Sequence, residues 1–166
     1  MQGFSILLLD KTHERKSFSC GVDSLDTYFH KQVGQDSRKR IAVTYVLHDQ
    51  HANKVAGYYT LSATVIELMV LPETVRKKLP SYPYLPATLI GRLAVDETYK
   101  KRGLGEVILI DAMKRSYRAS VEVASFAVVV DASNSSAEKF YKKYGFLDLS
   151  VSTRRLFLPM SIIADL

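Results

Sequence analysis

The period of hydrophobic and polar positions changes several times along the 166 residues. Residues 22–36 put Leu25, Tyr28 and Phe29 on one face at helical spacing. Asp23 stands ready as a cap with Asp26 three residues on, so this stretch predicts a helix. Segments 42–48 and 55–66 are rich in β-branched and aromatic residues. The polar stretch 49–54 between them reads as a turn, which makes the pair a hairpin. Residues 72–78 predict a short helix with Pro72 at its start, where a missing N–H costs nothing. Pro80, Pro83 and Pro86 then interrupt seven residues and predict a loop over 80–86.

The second half is more regular. Residues 87–96 read as a strand and 103–120 as an amphipathic helix. On that helix Ile108, Leu109, Ala112 and Met113 face one way, and Asp111, Lys114, Arg115 and Arg118 the other. Residues 126–131 form a nearly all-apolar strand, which predicts burial on both faces. Ser135 and Glu138 make a capping box for a helix ended by Gly145, with Ala137, Phe140, Tyr141 and Tyr144 along one stripe. A last strand covers 153–158. Strands and helices alternate around one mixed sheet, an α/β (α+β) sandwich. Strand signals on both sides of the 80–86 loop make 1–166 a single domain.

Composition adds little to this architecture. Apolar residues make up 47% and charged residues 24%, ordinary values for a globular chain. The single cysteine, Cys20, has no internal partner for a disulfide, which suits a reducing compartment. Ile6-Leu7-Leu8-Leu9 is followed at once by Asp10, too short for a signal-peptide core, and no run reaches the length of a membrane span. A cytoplasmic protein without membrane attachment is expected. The charge of +6 changes the picture more, because it favours anionic ligands, although a solvated basic surface gives the same number.

The strongest candidate for an anion site is Lys100-Lys101-Arg102-Gly103-Leu104-Gly105, which joins the strand at 93–96 to the following helix. Glycines let backbone N–H groups approach a phosphate, and a helix N-terminus adds unpaired donors and the positive end of its dipole. No Walker string exists, and a dinucleotide fingerprint fails because position 108 is Ile. Taken alone the turn is also compatible with two incidental glycines at a loop–helix junction.

Three segments together resemble the GCN5-related N-acetyltransferases (GNAT): Gly91-Arg92-Leu93-Ala94-Val95-Asp96, Arg102-Gly103-Leu104-Gly105, and Asn134-Ser135-Ser136-Ala137-Glu138-Lys139-Phe140-Tyr141-Lys142-Lys143-Tyr144-Gly145-Phe146. The resemblance spans about residues 42–158. The cofactor turn departs from the family pattern in having Lys at its first position. The resemblance implies a mixed central sheet flanked by helices and splayed between two middle strands, with acetyl-CoA as donor. It assigns Leu93, Ala94 and Val95 to the strand along the cofactor, with Leu93 and Val95 offering main-chain groups to the pantetheine arm. Lys100, Lys101, Arg102, Gly103, Leu104 and Gly105 would hold the pyrophosphate, and Asn134 would sit beside the cofactor. Tyr141 stands where family members carry the acid that protonates the leaving thiolate. The ordinary phenol value of about 10 lies above the roughly 8.5 of a simple thiol. Tyr141 also fits a purely structural place on the apolar stripe, and Tyr144 is the fallback acid. Cys20 has no histidine near it in sequence to activate it, so a covalent acyl-enzyme is rejected. The four histidines show no metal-ligand spacing, so no metal is expected.

Residues 18–29, Val55-Ala56-Gly57-Tyr58-Tyr59-Thr60-Leu61-Ser62 and Leu89-Ile90-Gly91-Arg92-Leu93-Ala94-Val95-Asp96 narrow the resemblance to toxin acetyltransferases of bacterial toxin–antitoxin pairs. That subgroup implies aminoacyl-tRNA as acceptor, blocked translation, a ribbon-helix-helix antitoxin as partner and a homodimer. Cationic side chains around an RNA acceptor are the independent physical requirement. Arg38-Lys39-Arg40, Arg76-Lys77-Lys78, Arg92, Lys142 and Lys143 are available, and Arg92, Arg76, Lys77 and Lys78 are the candidate substrate contacts. Each cluster also reads as a solvated face. Tyr82 and Tyr84 offer stacking surfaces for a terminal nucleotide or else cover the sheet. Two other readings remain. One is an N-acetyltransferase for a small amine or protein lysine, which an acidic pocket would favour, with Glu67 and Asp96 the few carboxylates to build it. The other is a non-catalytic acyl-CoA-binding or DNA-binding module.

Overall fold

In the computed structural model, residues 2–150 and 153–166 are described. Among them the strands form one mixed seven-stranded sheet, and the chain clusters into two compact units. The strands are β1 (Phe4–Leu8), β2 (Val43–Asp49), β3 (Lys54–Glu67), β4 (Tyr84–Val95), β5 (Ala127–Asp131), β6 (Leu147–Ser150) and β7 (Arg155–Pro159), in the order β1-β2-β3-β4-β5-β7-β6. One unit combines the chain through Ser62 with Gly91–Ala112, and the other combines Ala63–Ile90 with Met113–Leu166. Each draws on both halves of the sequence, so the proline-rich 80–86 stretch is no linker.

In the first unit the expected hairpin forms as β2 and β3, antiparallel, with the Asp49 carboxylate accepting the His51 and Ala52 N–H groups at 3.0 and 3.2 Å to close the turn. β1 pairs antiparallel with β2 from Phe4↔Asp49 to Leu8↔Tyr45. It was not expected, because a five-residue edge strand that buries little leaves no readable period.

The helix predicted over 22–36 is three pieces: α1 (Asp23–Thr27), a π-helical turn (Tyr28–Gln32) and α2 (Val33–Arg38). Asp23 does not cap it. Val22 holds the N-cap position without a side-chain bond, while the Asp26 carboxylate accepts the Cys20 N–H at 2.8 Å. The wider π turn lets Tyr28, Phe29 and Val33 all face the core. There the Phe29 ring stacks on Tyr58 with centroids 4.4 Å apart, and Phe18 meets Tyr58 edge-on at 5.4 Å.

In the second unit α3 is shorter than predicted (Glu73–Arg76), and Pro72 is its N-cap rather than its first helical residue. β4 starts at Tyr84, inside the stretch expected to be a loop. Pro86 is tolerated there because it is exposed and lends only its carbonyl, which accepts the Phe126 N–H at 2.8 Å. Parallel pairing with β5 runs from Ala87↔Ala127 to Ile90↔Val130. β5 is buried on both faces, as its apolar run predicts.

α4 (Leu104–Ala119) buries Ile108, Leu109, Ala112 and Met113, the predicted face. α5 (Ser135–Lys143) ends at Gly145, whose φ of +96° suits only glycine comfortably. The expected capping box is absent: Asn134 is the cap, its side-chain oxygen accepting the Ala137 N–H at 2.8 Å. Glu138 pairs instead with Lys142 and Arg154 at 3.6 Å each. β6 and α6 (Met160–Ile163), four residues each, were too short to read from sequence.

Candidate functional site

The glycine turn is shaped by two left-handed residues, Lys101 at φ +64° and Gly103 at φ +73°. Such alternation turns successive N–H groups toward one side, as in an anion-binding nest. Nothing lies within 4 Å of the place a Cβ on Gly103 would take, so the turn is open. α4 begins at once: the Val107 N–H reaches the Gly103 carbonyl at 3.3 Å. The amides of Leu104, Gly105 and Glu106 therefore precede the first helical bond and are available as donors. The Arg102 guanidinium lies 5.2 Å from the centroid of the buried Tyr99 ring. Lys100 is committed elsewhere, its ammonium donating to the Cys20 carbonyl at 2.6 Å.

Asp96, one of the carboxylates considered for an acceptor pocket, is a buried support of this turn instead. It accepts the Ser19 N–H (3.0 Å), the Thr98 N–H (2.9 Å) and the Thr98 hydroxyl (2.6 Å). Burial alone would raise its carboxyl, but the bonds from Thr98 and Ser19 outweigh it and hold the group below its ordinary value. Gly57 is a second support that sequence reading passed over. A Cβ there would stand 3.0 Å from the Ala94 carbonyl, so β3 and β4 approach closely only because the residue is glycine. The detectable signal was a glycine in the interior of a strand pattern.

Along β4 the N–H groups alternate in direction. Arg92 donates its N–H to the Thr60 hydroxyl at 3.1 Å and Asp96 donates to the Ala56 carbonyl at 2.8 Å, both toward β3. Leu93 and Val95 therefore point their N–H groups to the other edge. The described pairing with β5 ends at Ile90, short of both residues.

Tyr141 lies on the inner face of α5, buried, with Phe140 and Phe146 rings at 5.4 and 5.6 Å. Burial, and next the charge of Asp131, pushes its phenol above the ordinary value. It therefore keeps its proton through the whole physiological range. Asn134, exposed, spends its side-chain oxygen on capping α5.

The candidate acceptor contacts separate. The Arg92 guanidinium stacks 3.5 Å above the Tyr28 ring, while the Tyr28 hydroxyl donates to Asp36 at 2.9 Å. Arg76 donates to the Met69 and Leu71 carbonyls at 3.3 and 3.5 Å, which ties its own helix to the preceding turn. Lys77 and Lys78 are exposed. Tyr82 and Tyr84 are 65% and 59% exposed, so they do not cover the sheet. A cavity of about 660 Å³ in the second unit is lined by Val65, Glu67, Val70, Asp131, Leu149 and Arg155, among others. Arg155 grips Asp131 bidentately at 2.8 and 2.9 Å, leaving Glu67 the unpaired carboxylate among those lining residues.

Cys20 is buried, and its thiol is pushed up to about 11, first by burial and then by Asp26. It is a neutral thiol and no nucleophile. Among the described residues no group of three or more His, Cys, Asp or Glu could hold a metal ion, and no helix is long and apolar enough to cross a membrane.

The model of the acetyltransferase (GNAT) domain matches residues 86–163, the stretch that carries the turn, α4, β5 and α5. A tRNA-acetylating toxin of Mycobacterium tuberculosis is 32% identical over 130 residues, 78% of this chain and 76% of the relative. The chain belongs to the GNAT acetyltransferase family. The acetyltransferase is also 27% identical to a probable toxin TacT of Sinorhizobium fredii over 93% of its length and 89% of the relative's. Among solved structures it superposes on AtaT complexed with acetyl-methionyl-tRNAfMet with a TM-score of 0.89, at 30% identity over 97% of both chains. A mutant AtaT toxin bound to acetyl-CoA and the C-terminus of the antitoxin AtaR gives 0.82, at 26% identity over 98% of this chain and 96% of that one. The acetyltransferase is thus an N-acetyltransferase with acetyl-CoA as its donor.

Proposed function

We propose that this acetyltransferase is a toxin that acetylates the α-amino group of an aminoacyl-tRNA and so blocks translation. The observation that carries the reading is its likeness, along nearly its whole length, to a toxin solved with an acetylated aminoacyl-tRNA. The basic net charge of +6 supports it, since the acceptor is a polyanion.

In this reading the amides of residues 101–105, with Arg102, hold the pyrophosphate, and the Leu93 and Val95 main chain holds the pantetheine arm beside Ala94. Acetyl-CoA supplies the activated acetyl group. The Tyr141 hydroxyl donates to the sulfur as negative charge develops there, and its raised phenol value delays full transfer until that charge is large. Lys100 acts through the Cys20 carbonyl to fix the loop. Asn134 acts by capping α5 and so orienting Tyr141. Arg92, held flat against Tyr28, presents its guanidinium edge to the acceptor, and Lys77 and Lys78 meet its backbone. A small amine is the weaker reading, because Asp96 is spent on the turn and Asp131 is neutralised by Arg155, which leaves Glu67 as the one unpaired carboxylate among the described residues of the cavity. The partner that restrains the toxin is an antitoxin of ribbon-helix-helix type, the active form is a homodimer, and the acceptor places the enzyme in the cytoplasm.

The test is incubation with labelled acetyl-CoA and a pool of charged tRNAs, read as N-acetylated aminoacyl ester. Tyr141→Phe lowers turnover by about 100-fold while acetyl-CoA affinity stays within a few-fold. Absence of label on every aminoacyl-tRNA, together with harmless overexpression, would sink the toxin reading.

A further inference from the structure

A cavity of about 380 Å³ lies in the first unit between the 9–15 segment and α2. Lys11, His13, Arg15, Gly34, Ser37 and Arg38 line it, with Leu9 and Asp10. Two guanidinium groups converge there on one point. A Cβ built on Gly34 would stand 3.3 Å from Arg38 Nη1, 3.7 Å from Arg15 Nη1 and 3.9 Å from Arg15 Nη2. Glycine inside a helix costs about 1 kcal/mol against alanine, and Gly34 has no positive φ to justify it. What the missing side chain provides is room for the two arginines.

Among the described residues neither Arg15, Arg38 nor Lys11 has a carboxylate at ion-pair distance. Arg15 is positioned by one bond, Nη1 to the Phe29 carbonyl at 3.4 Å, so most of its fork is unspent. Asp10 is turned to its own loop, accepting the Thr12 N–H at 2.8 Å and the Thr12 hydroxyl at 2.5 Å. It also lies 3.4 Å from His13 Nδ1. That nitrogen accepts the Asp10 N–H at 3.1 Å, which leaves the ring's proton on Nε2. Ser37 gives its hydroxyl proton to the Val33 carbonyl at 2.9 Å and serves as a wall. Two like charges held together with unspent donors attract a tetrahedral anion that offers an oxygen to each fork.

We propose that this cavity grips a backbone phosphodiester of the tRNA acceptor, a phosphate contact separate from the acetyl-CoA turn. The proposal rests on the aminoacyl-tRNA reading. An acidic peptide is the poorer occupant, since Leu9 is the single apolar side chain among the described lining residues and gives no pocket for an anchor.

The test is steady-state acetylation of a full-length aminoacyl-tRNA and of an aminoacylated CCA trinucleotide, with wild type and the Arg15→Gln/Arg38→Gln double variant. For the full tRNA the double variant raises KM about tenfold and shallows the log–log salt dependence by about one unit, with kcat unchanged. The trinucleotide, which lacks the rest of the acceptor stem, is acetylated alike by both. Wild-type KM and salt slope in the double variant overturn the proposal, as does an equal loss on the trinucleotide. Gly34→Ala guards against misfolding: it raises Tm, because alanine favours the helix, yet raises the tRNA KM by crowding Arg38. If wild type acetylates no aminoacyl-tRNA, the functional reading fails on its own. Titration with inorganic phosphate, followed at the Gly34 amide by NMR, then decides the cavity. Saturable shifts lost in the double variant support it, and their absence overturns it.

Discussion

A phenol on the apolar face of a short helix has two competing uses, core filler and proton donor, and for Tyr141 burial serves both. The environment that packs the ring against Phe140 and Phe146 also raises its phenol value. The sign has a kinetic consequence. A group whose value is raised stays protonated as pH increases, so Tyr141 imposes no falling limb on kcat up to about pH 10, the ordinary phenol value. The profile rises through the titration of the acceptor amine and then stays level. A falling limb below pH 9 that vanishes in Tyr141→Phe would show that the phenol ionises earlier than its surroundings allow. Identity and stripe position of Tyr141 were legible in the sequence. Its degree of burial was not, because that depends on Phe146 and on residues far along the chain.

At the scale of elements, the phosphate turn works because a strand, two left-handed residues and a helix start occur in immediate succession. Gly103 is the position to probe. Its surroundings are empty, so a methyl group there meets no atom, and the cost of Gly103→Ala is backbone strain alone, about 1–2 kcal/mol at φ +73°. The expected outcome is a raised KM for acetyl-CoA with near-normal kcat at saturation, measured beside Tyr141→Phe, which shows the opposite split. Lys101 already bears a left-handed φ of +64° with a full side chain, so the turn carries strain before any substitution. The capping of α5 shows how element-level reading fails. Ser135 and Glu138 satisfied the capping pattern, yet Asn134, one residue earlier, took the bond, since either side chain can serve the same N–H groups and only the chain's path decides.

Across the whole molecule the formal charge of +6 is an ordinary surplus, and its value lies in placement. Lys100, Arg76, Arg92 and Arg15 each contact a carbonyl or an aromatic ring, and Arg15, Arg38, Lys77 and Lys78 have no ion-pair partner among the described residues. Acetylation of full-length tRNA is accordingly expected to weaken steeply with salt, while acetylation of the trinucleotide changes little between about 50 and 200 mM. Equal salt dependence for the two acceptors would mean that the cations serve acetyl-CoA or solubility instead. The division into two units, each stitched from both halves of the chain, also explains why strand signals straddled the 80–86 stretch.

The sequence by itself determined the alternation of elements, the buried β5, the inner face of α4, the glycine turn and the family, because these rest on short-range patterns: period, punctuation and local motif. Tertiary structure alone decided the rest. It broke the first helix with a π turn so that Phe29 and Val33 could both reach the aromatic core. It drew Pro86 into a strand, turned Asp96 from a pocket carboxylate into a support, and set Lys100 on the Cys20 carbonyl. It also brought Arg15 and Arg38 together over Gly34. Each of these turns on contacts between residues distant in sequence or on the path of the backbone, and burial and pairing energies there exceed the local preferences from which a sequence is read.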